Sequence, residues 1–134
     1  MAEHSPRTVV ITGGSRGLGA GLVESFLESG DRVATCSRSS TPQIEAWLAD
    51  PALADRFLFG QADLAVRRDA DEFVKSVLAR WDGIDVLVNN AGVARDGVLG
   101  LFSDEDVDTV VDLNLKGTIH VTRVVSRHML ARRS

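Results

Sequence analysis

An apolar run, Thr8-Val9-Val10-Ile11-Thr12, leads directly into Gly13-Gly14-Ser15-Arg16-Gly17-Leu18-Gly19, and then into a segment with Leu18, Leu22, Phe26 and Leu27 at helical spacing. This order constrains the fold more than any other feature of the chain. A strand that ends in a glycine turn and passes into a helix opens a βαβ unit, and the missing Cβ atoms let a ligand approach the turn closely. The unpaired amides of the helix N-terminus face an anion there, and Ser15 adds a hydroxyl. The spacing is Gly-x-x-x-Gly-x-Gly through Gly13, Gly17 and Gly19; the form Gly-x-Gly-x-x-Gly fails because Leu22 occupies its last position. Glycines alone could make a purely structural turn, but the strand before and the helix after weigh against that reading.

Three more short apolar runs, at residues 33–36, 57–59 and 84–88, read as buried strands. Between the last two, Phe73, Val74, Val77, Leu78 and Trp81 mark an amphipathic helix. Strands that alternate with helices favour parallel pairing, because a parallel neighbour needs a crossover and a helix is the usual one. The expected class is α/β, a Rossmann-type doubly wound parallel sheet, incomplete at about four strands with flanking helices. Residues 104–133 carry Val107, Val110, Val111, Leu115, Ile119, Val124, Val125, Met129 and Leu130. They should form one long helix, or two helices meeting near residues 114–117. Residues 37–42 read as a polar turn, and Asp50-Pro51 ends a helix. The 134 residues read as one continuous domain that ends on helix, with one sheet edge left unpaired.

Hydrophobic residues at 44% and charged residues at 25% support a globular core and exclude a disordered or fibrous chain. A net charge of -4 with mixed signs builds no cationic face, so no nucleic-acid partner is expected. Residues 1–7 are polar and no apolar stretch suits a membrane span, so no membrane partner is expected either. Cys36 is the single cysteine; it reads as a small apolar strand residue, and a cytoplasmic location is expected. His4, His120 and His128 lack metal-ligand spacing, so no metal is expected. The basic residues at 127–133 either complement a helix C-terminus or form a docking patch for an acidic partner.

At the end of the second run, where a carboxylate would accept a hydrogen bond from the ribose of NAD, the residues are Ser37-Arg38. Arg38 and Arg16 could bracket a 2'-phosphate with charge-assisted bonds, so NADP(H) is expected in preference to NAD(H). The competing reading leaves both arginines in solvent.

Thr12-Gly13-x-x-x-Gly17-x-Gly19, Asp63 after the third run, Asn89-Asn90-Ala91-Gly92 after the fourth, and Asn114 together resemble the classical short-chain dehydrogenases/reductases. The resemblance covers essentially the whole chain. It implies that Asp63 and Leu64 flank an adenine, and that Asn90, Ala91 and Gly92 pass beneath the adenosine ribose. It also implies that Asn114 is the catalytic asparagine, holding a water in a proton relay at a disturbance in its helix. On residue chemistry alone, Asp63 could instead cap a helix over residues 67–81, and Asn114 could cap a second helix from Leu115. Within the family, Val93-Ala94-Arg95-Asp96-Gly97-Val98-Leu99 looks like the 3-oxoacyl-(acyl-carrier-protein) reductases and related ketoreductases. That would place Arg132 and Arg133 near where those enzymes receive their acidic carrier protein.

The family's chemistry needs a serine followed by Tyr-x-x-x-Lys, with the tyrosine as general acid and the lysine lowering its pKa. The chain contains no tyrosine, and Ser126, Ser134 and Lys116 do not make up the set. The expectation is therefore that residues 1–134 are the N-terminal dinucleotide-binding part of a single short-chain dehydrogenase/reductase domain. The complete protein would use NADP(H) to reduce a ketone, or a 3-oxoacyl thioester, to a secondary alcohol. Alone, the chain should be inactive and should associate through its open sheet edge. Its expected partners are a missing C-terminal half or complementary chain, a second copy in a homodimer or homotetramer, and acyl carrier protein. The alternatives are a non-catalytic NADP(H)-binding or regulatory module, one part of a split enzyme, or a structural subunit.

Overall fold

A computed structural model describes residues 5–132. Four parallel strands form one sheet: β1 (Thr8–Thr12), β2 (Arg32–Ser37), β3 (Phe57–Gln61) and β4 (Val86–Val88), in the order β3-β2-β1-β4. The α/β class expected from the alternating runs is what the chain forms. In register, Val9 stands between Val33 and Val86, and Val10 between Ala34 and Leu87. β1 is buried along its whole length, with Val9, Val10 and Ile11 at 0% exposure, which is why its run is apolar without alternation.

Helices cover both faces. On one face, α1 (Gly17–Glu28) and α2 (Pro42–Ala49) bring Val23, Leu27, Ile44 and Trp47 onto Val9, Ile11, Val33 and Phe57. On the other, α3 (Arg67–Trp81) and α5 (Thr118–Arg132) bring Phe73, Val74, Val77, Val121 and Val125 onto Val10, Ala34 and Cys36. The alternation Val9, Val10, Ile11 thus feeds the two cores in turn. Each buried valine, leucine, isoleucine or phenylalanine among them contributes about 1.5–3 kcal/mol by leaving water.

Local chemistry sets the helix starts. Thr41 Oγ1 accepts from the Ile44 amide at 3.3 Å, with Pro42 in the first turn of α2. Ser103 and Asp106 form a capping box that opens α4 (Asp104–Val110). From there to Arg132 the helix is continuous, but residues Val111–Gly117 take the wider π form before α5 begins. The stretch is one helix with an internal disturbance, and Asn114 lies inside that disturbance rather than capping a second helix.

The fourth strand is shorter than its apolar run. The Thr8 amide donates to the Asp85 carboxylate at 2.8 Å instead of to a backbone carbonyl, so the regular ladder starts at Val86. β4 is half-buried and pairs with β1 alone among the described residues.

Candidate functional site

β1 hands the chain through α1 to β2 on one side, while β4 lies on its other side. At such a reversal of strand order the loops beyond the strands diverge and leave a crevice. A cleft of about 390 Å³ lies there. Gly13, Ser15, Arg16, Leu18 and Gly19 line it from the glycine loop, Ser37 and Arg38 from the end of β2, Leu64 from beyond β3, and Asn90, Ala91 and Gly92 from beyond β4. Segments distant in sequence, from the glycine loop at residue 13 to Gly92, meet there only because of the strand order.

Its glycines let the loop close tightly on its own backbone and on the loop beyond β4. Gly13 has φ +71°, and a Cβ there would lie 2.9 Å from Ala91 Cα. A Cβ on Gly19 would lie 2.2 Å from the Gly13 carbonyl oxygen and 2.5 Å from Asn90 Nδ2. Gly17 does not line the cleft; its part is the turn itself, at φ +57°, where other residues are strained. Arg16 is the extended residue before α1, with no side-chain cap bond and no acidic residue in the first turn. The Ala20 amide makes the first bond back to the Arg16 carbonyl, at 3.2 Å, so the amides of Gly17, Leu18 and Gly19 have no helical carbonyl to bond. A tight loop that only glycines let close, beside a helix N-terminus that no side chain caps, fits a pyrophosphate.

The loop beyond β4 is fastened to this one. Thr12 Oγ1 accepts from the amides of Asn90 and Ala91, both at 3.0 Å, and Asn90 Nδ2 donates to the Gly13 carbonyl at 3.1 Å. Thr35, fully buried in β2, donates its hydroxyl to the Ile11 carbonyl at 2.6 Å and accepts from the Gly14 amide at 2.9 Å. Sequence reasoning assigned no role to Thr12 or Thr35. The available signal was a threonine inside an apolar strand, since a buried hydroxyl is retained where it has partners.

Asn114 sits below the same loop. Its Oδ1 accepts from the Val93 amide and its Nδ2 donates to the Val93 carbonyl, both at 2.8 Å, so one side chain satisfies both backbone groups of a residue that lines the cleft. Thr118 Oγ1 donates to the Asn114 carbonyl at 2.9 Å.

Asp63 lies just outside the cleft, in an adjoining groove with Arg38, Asp108 and Asp112. It does not cap α3, whose N-cap is Val66 with no side-chain bond. Its carboxylate instead accepts from the Ala65 amide at 3.0 Å, while its own amide donates to Asp69 at 2.9 Å, closing a turn ahead of the helix.

Arg16 and Arg38 are exposed at the cleft mouth. Gln61 Nε2 donates to the Arg38 carbonyl at 2.9 Å and Ser37 Oγ to the Ser39 carbonyl at 2.6 Å, which orders the end of β2. Cys36 lines the cleft floor at 1% exposure; burial pushes its thiol up to about 12, so it stays protonated and neutral near pH 7.

Among the described residues no three His, Cys, Asp or Glu side chains are grouped to hold a metal ion, and no helix is long and apolar enough to cross a membrane. Arg132 Nη1 stands 3.9 Å from Asp85 Oδ1 within the chain; His4 and Arg133 lie outside the described residues.

Known proteins resemble this chain in sequence and fold. The 3-oxoacyl-(acyl-carrier-protein) reductase of Staphylococcus epidermidis is 33% identical over 129 residues, covering 96% of this chain and 53% of its own. A short chain dehydrogenase from Burkholderia cenocepacia, solved in complex with NADP, is 32% identical with a TM-score of 0.84, over 91% of this chain and 50% of that one. A 3-ketoacyl-(acyl-carrier-protein) reductase from Brucella melitensis, complexed with NADH, is 28% identical with a TM-score of 0.82, over 92% and 50%. The chain spans about half the length of the curated relatives it matches. Asn114 does not itself line the cleft but holds Val93, which does, and the short chain dehydrogenase model matches residues 7–134, nearly all of the sequence: the chain belongs to the short-chain dehydrogenase family.

Proposed function

We propose that the cleft holds a nicotinamide dinucleotide, NADP(H) in preference to NAD(H), and that the protein reduces a ketone or 3-oxoacyl thioester to a secondary alcohol. The observation that carries this is the uncapped start of α1, which opens on the cleft from a loop that only glycines at 13 and 19 let close. The loop amides and Ser15 take the pyrophosphate, Leu64 and Asp63 flank the adenine, and Asn90, Ala91 and Gly92 lie beneath the ribose. Arg16 and Arg38 neutralise a 2'-phosphate, with no carboxylate at Ser37-Arg38 to repel it. The relatives leave this preference open, since one solved neighbour holds NADP and another NADH.

When bound, the dinucleotide supplies a hydride to the carbonyl carbon. The developing alkoxide then needs a proton, and these 134 residues contain no tyrosine to give it. Asn114 holds residue 93 against the cleft and belongs to the proton relay, while the acid itself comes from outside these residues. Residues 1–134 thus serve as the dinucleotide-binding part of one domain. Acyl carrier protein and further copies of the chain are the partners this reading assigns to the complete protein.

Titration of the chain with NADPH and NADH, followed by nucleotide fluorescence, tests the proposal. NADPH should bind at least about ten-fold more tightly, and Arg38→Ala should remove most of that margin, as expected for a charge-assisted bond. Equal affinities would end the NADP preference, and binding of neither would end the functional reading. Ketone-dependent NADPH oxidation by the 134 residues alone should be absent; appreciable turnover would show that they supply their own acid.

A further inference from the structure

We propose that Thr35 is a positioning residue for the phosphate side of the cleft, clamping the Gly13–Gly14 peptide against the sheet so that the amides after it face the ligand. The proposal rests on the dinucleotide reading above and assigns the loop's shape to a residue that lies outside the glycine motif.

Thr35 is fully buried in the middle of β2, where a valine would pack equally well. A hydroxyl has one proton and two lone pairs. Here the proton goes to the Ile11 carbonyl at 2.6 Å, which leaves a lone pair for the Gly14 amide at 2.9 Å. The orientation of the hydroxyl is therefore set by β1, and through it the direction of the Gly14 amide.

The same peptide unit is held from its other end. Its carbonyl, on Gly13, accepts from Asn90 Nδ2 at 3.1 Å. In a planar trans peptide the N–H and C=O point opposite ways, so bonds from Thr35 and Asn90 together fix the plane. The preceding amide is also turned inward, since Gly13 N–H donates to the Cys36 carbonyl at 2.9 Å. The first two amides of the loop thus serve the sheet, and the donors left for an anion begin at Ser15 and run into the first turn of α1.

Gly14 completes the pairing. A Cβ there would lie 2.2 Å from Thr35 Oγ1 and 2.7 Å from Val23 Cγ2, so only glycine lets the hydroxyl reach the amide. Downstream, Thr41 Oγ1 donates to the Ser15 carbonyl at 2.9 Å, which turns the Arg16 amide of that peptide away from α2. The loop is held at both ends by threonines of neighbouring elements.

The test compares Thr35→Val, which keeps shape and loses the hydroxyl, with Thr35→Ser, which keeps the hydroxyl. Calorimetric binding of NADP+ and of inorganic pyrophosphate is measured well below each melting temperature, with hydrogen exchange at the Gly14 amide followed without ligand. T35V should weaken both ligands by about ten-fold and speed exchange at Gly14, as a buried donor left unpaired would, while T35S stays within about two-fold of the parent. Should T35V fail to fold, Thr35→Ala against Thr35→Ser isolates the same hydroxyl. A hydroxyl-free variant that melts lower but binds both ligands as tightly as T35S overturns the proposal. Pyrophosphate binding that falls in T35V, in a parent that ignores NADP+, upholds the positioning role and removes the dinucleotide reading. A parent that binds neither removes both.

Discussion

The two sides of the cleft are held by different means. On the side of β1 and β2, strand residues are buried on both faces, and the glycine loop is tied to β2, to Asn90 and to Thr41 through buried or part-buried bonds. On the side of β4, the strand is three residues long and half-buried, and the segment after it leaves Val98, Leu99 and Leu101 at 68%, 77% and 84% exposure. Past the bonds of Asn89 to Thr122 and of Asn90 and Ala91 to the glycine loop, that segment has the Asn114–Val93 pair and a long Arg95–Asp106 contact at 4.0 Å. An exposed leucine forgoes the roughly 1.5–3 kcal/mol that burial contributes. Within these 134 residues the phosphate side therefore carries its own stability, whereas the Asn114 side depends on a few polar bonds, and local opening should concentrate there.

The largest test of this contrast is Gly19→Ala. The new methyl would meet the Gly13 carbonyl oxygen, a backbone atom that is already bonded to Asn90 and cannot rotate away. A loss of about 4 kcal/mol in denaturant unfolding is expected, with loss of NADPH binding. A stable G19A variant that still binds would show that the loop yields and that the phosphate side is not rigid. Next comes Ile11→Ala against Leu87→Ala. Ile11 is fully buried and should cost about 3 kcal/mol, while Leu87, half-buried on the edge strand, should cost about half as much. Equal costs would erase the difference between the strands.

This division also explains what could be read from the sequence. β1, the glycine turn and α1 are contiguous, so strand period, turn chemistry and helix period all speak within one stretch of chain. The Asn-Asn-Ala-Gly segment was legible for the same reason, lying directly after an apolar run. Thr35 was not, because its partners Ile11 and Gly14 come into reach only through the parallel register of β1 and β2. Asp63 looked equally like a helix cap until the start of α3 at Arg67 put it three residues too early. The π stretch at Val111–Gly117 was half legible: an asparagine at mid-helix signalled a disturbance, but whether it broke the helix depended on Val93, twenty-one residues away. Ile84 and Asp85 read as strand by hydrophobic pattern, and only the Asp85–Thr8 bond shows why the ladder begins later.

On the Asn114 side the expected effects are smaller and local. Asn114→Ala leaves the Val93 amide and carbonyl without their partner. Because both are near the surface and water replaces part of what is lost, the cost should be about 1–2 kcal/mol. Hydrogen exchange should quicken at Val93 and in the π stretch, with the amides of β1 and β2 unchanged. Quickening that spreads to β1 would mean that the two sides open together.

Gly117→Ala should have the smallest effect on stability and decides how the two sides communicate. Gly117 is buried at the end of the π stretch, and a Cβ there would stand 3.1 Å from the Leu64 carbonyl oxygen. Alanine in place of glycine gains up to about 1 kcal/mol of helix propensity, and the tight approach to Leu64 takes back a similar amount. The net change in unfolding free energy should stay within about 1 kcal/mol. Leu64 lines the cleft, however, so the few tenths of an ångström by which it must yield appear at the ligand. A G117A variant with near-parental stability and several-fold weaker NADPH binding would show that the helix carrying Asn114 sets the width of the cleft through Leu64. Unchanged affinity would mean that the cleft is shaped by the β1 and β2 side alone, and that the softer side only closes over what the glycine loop already holds.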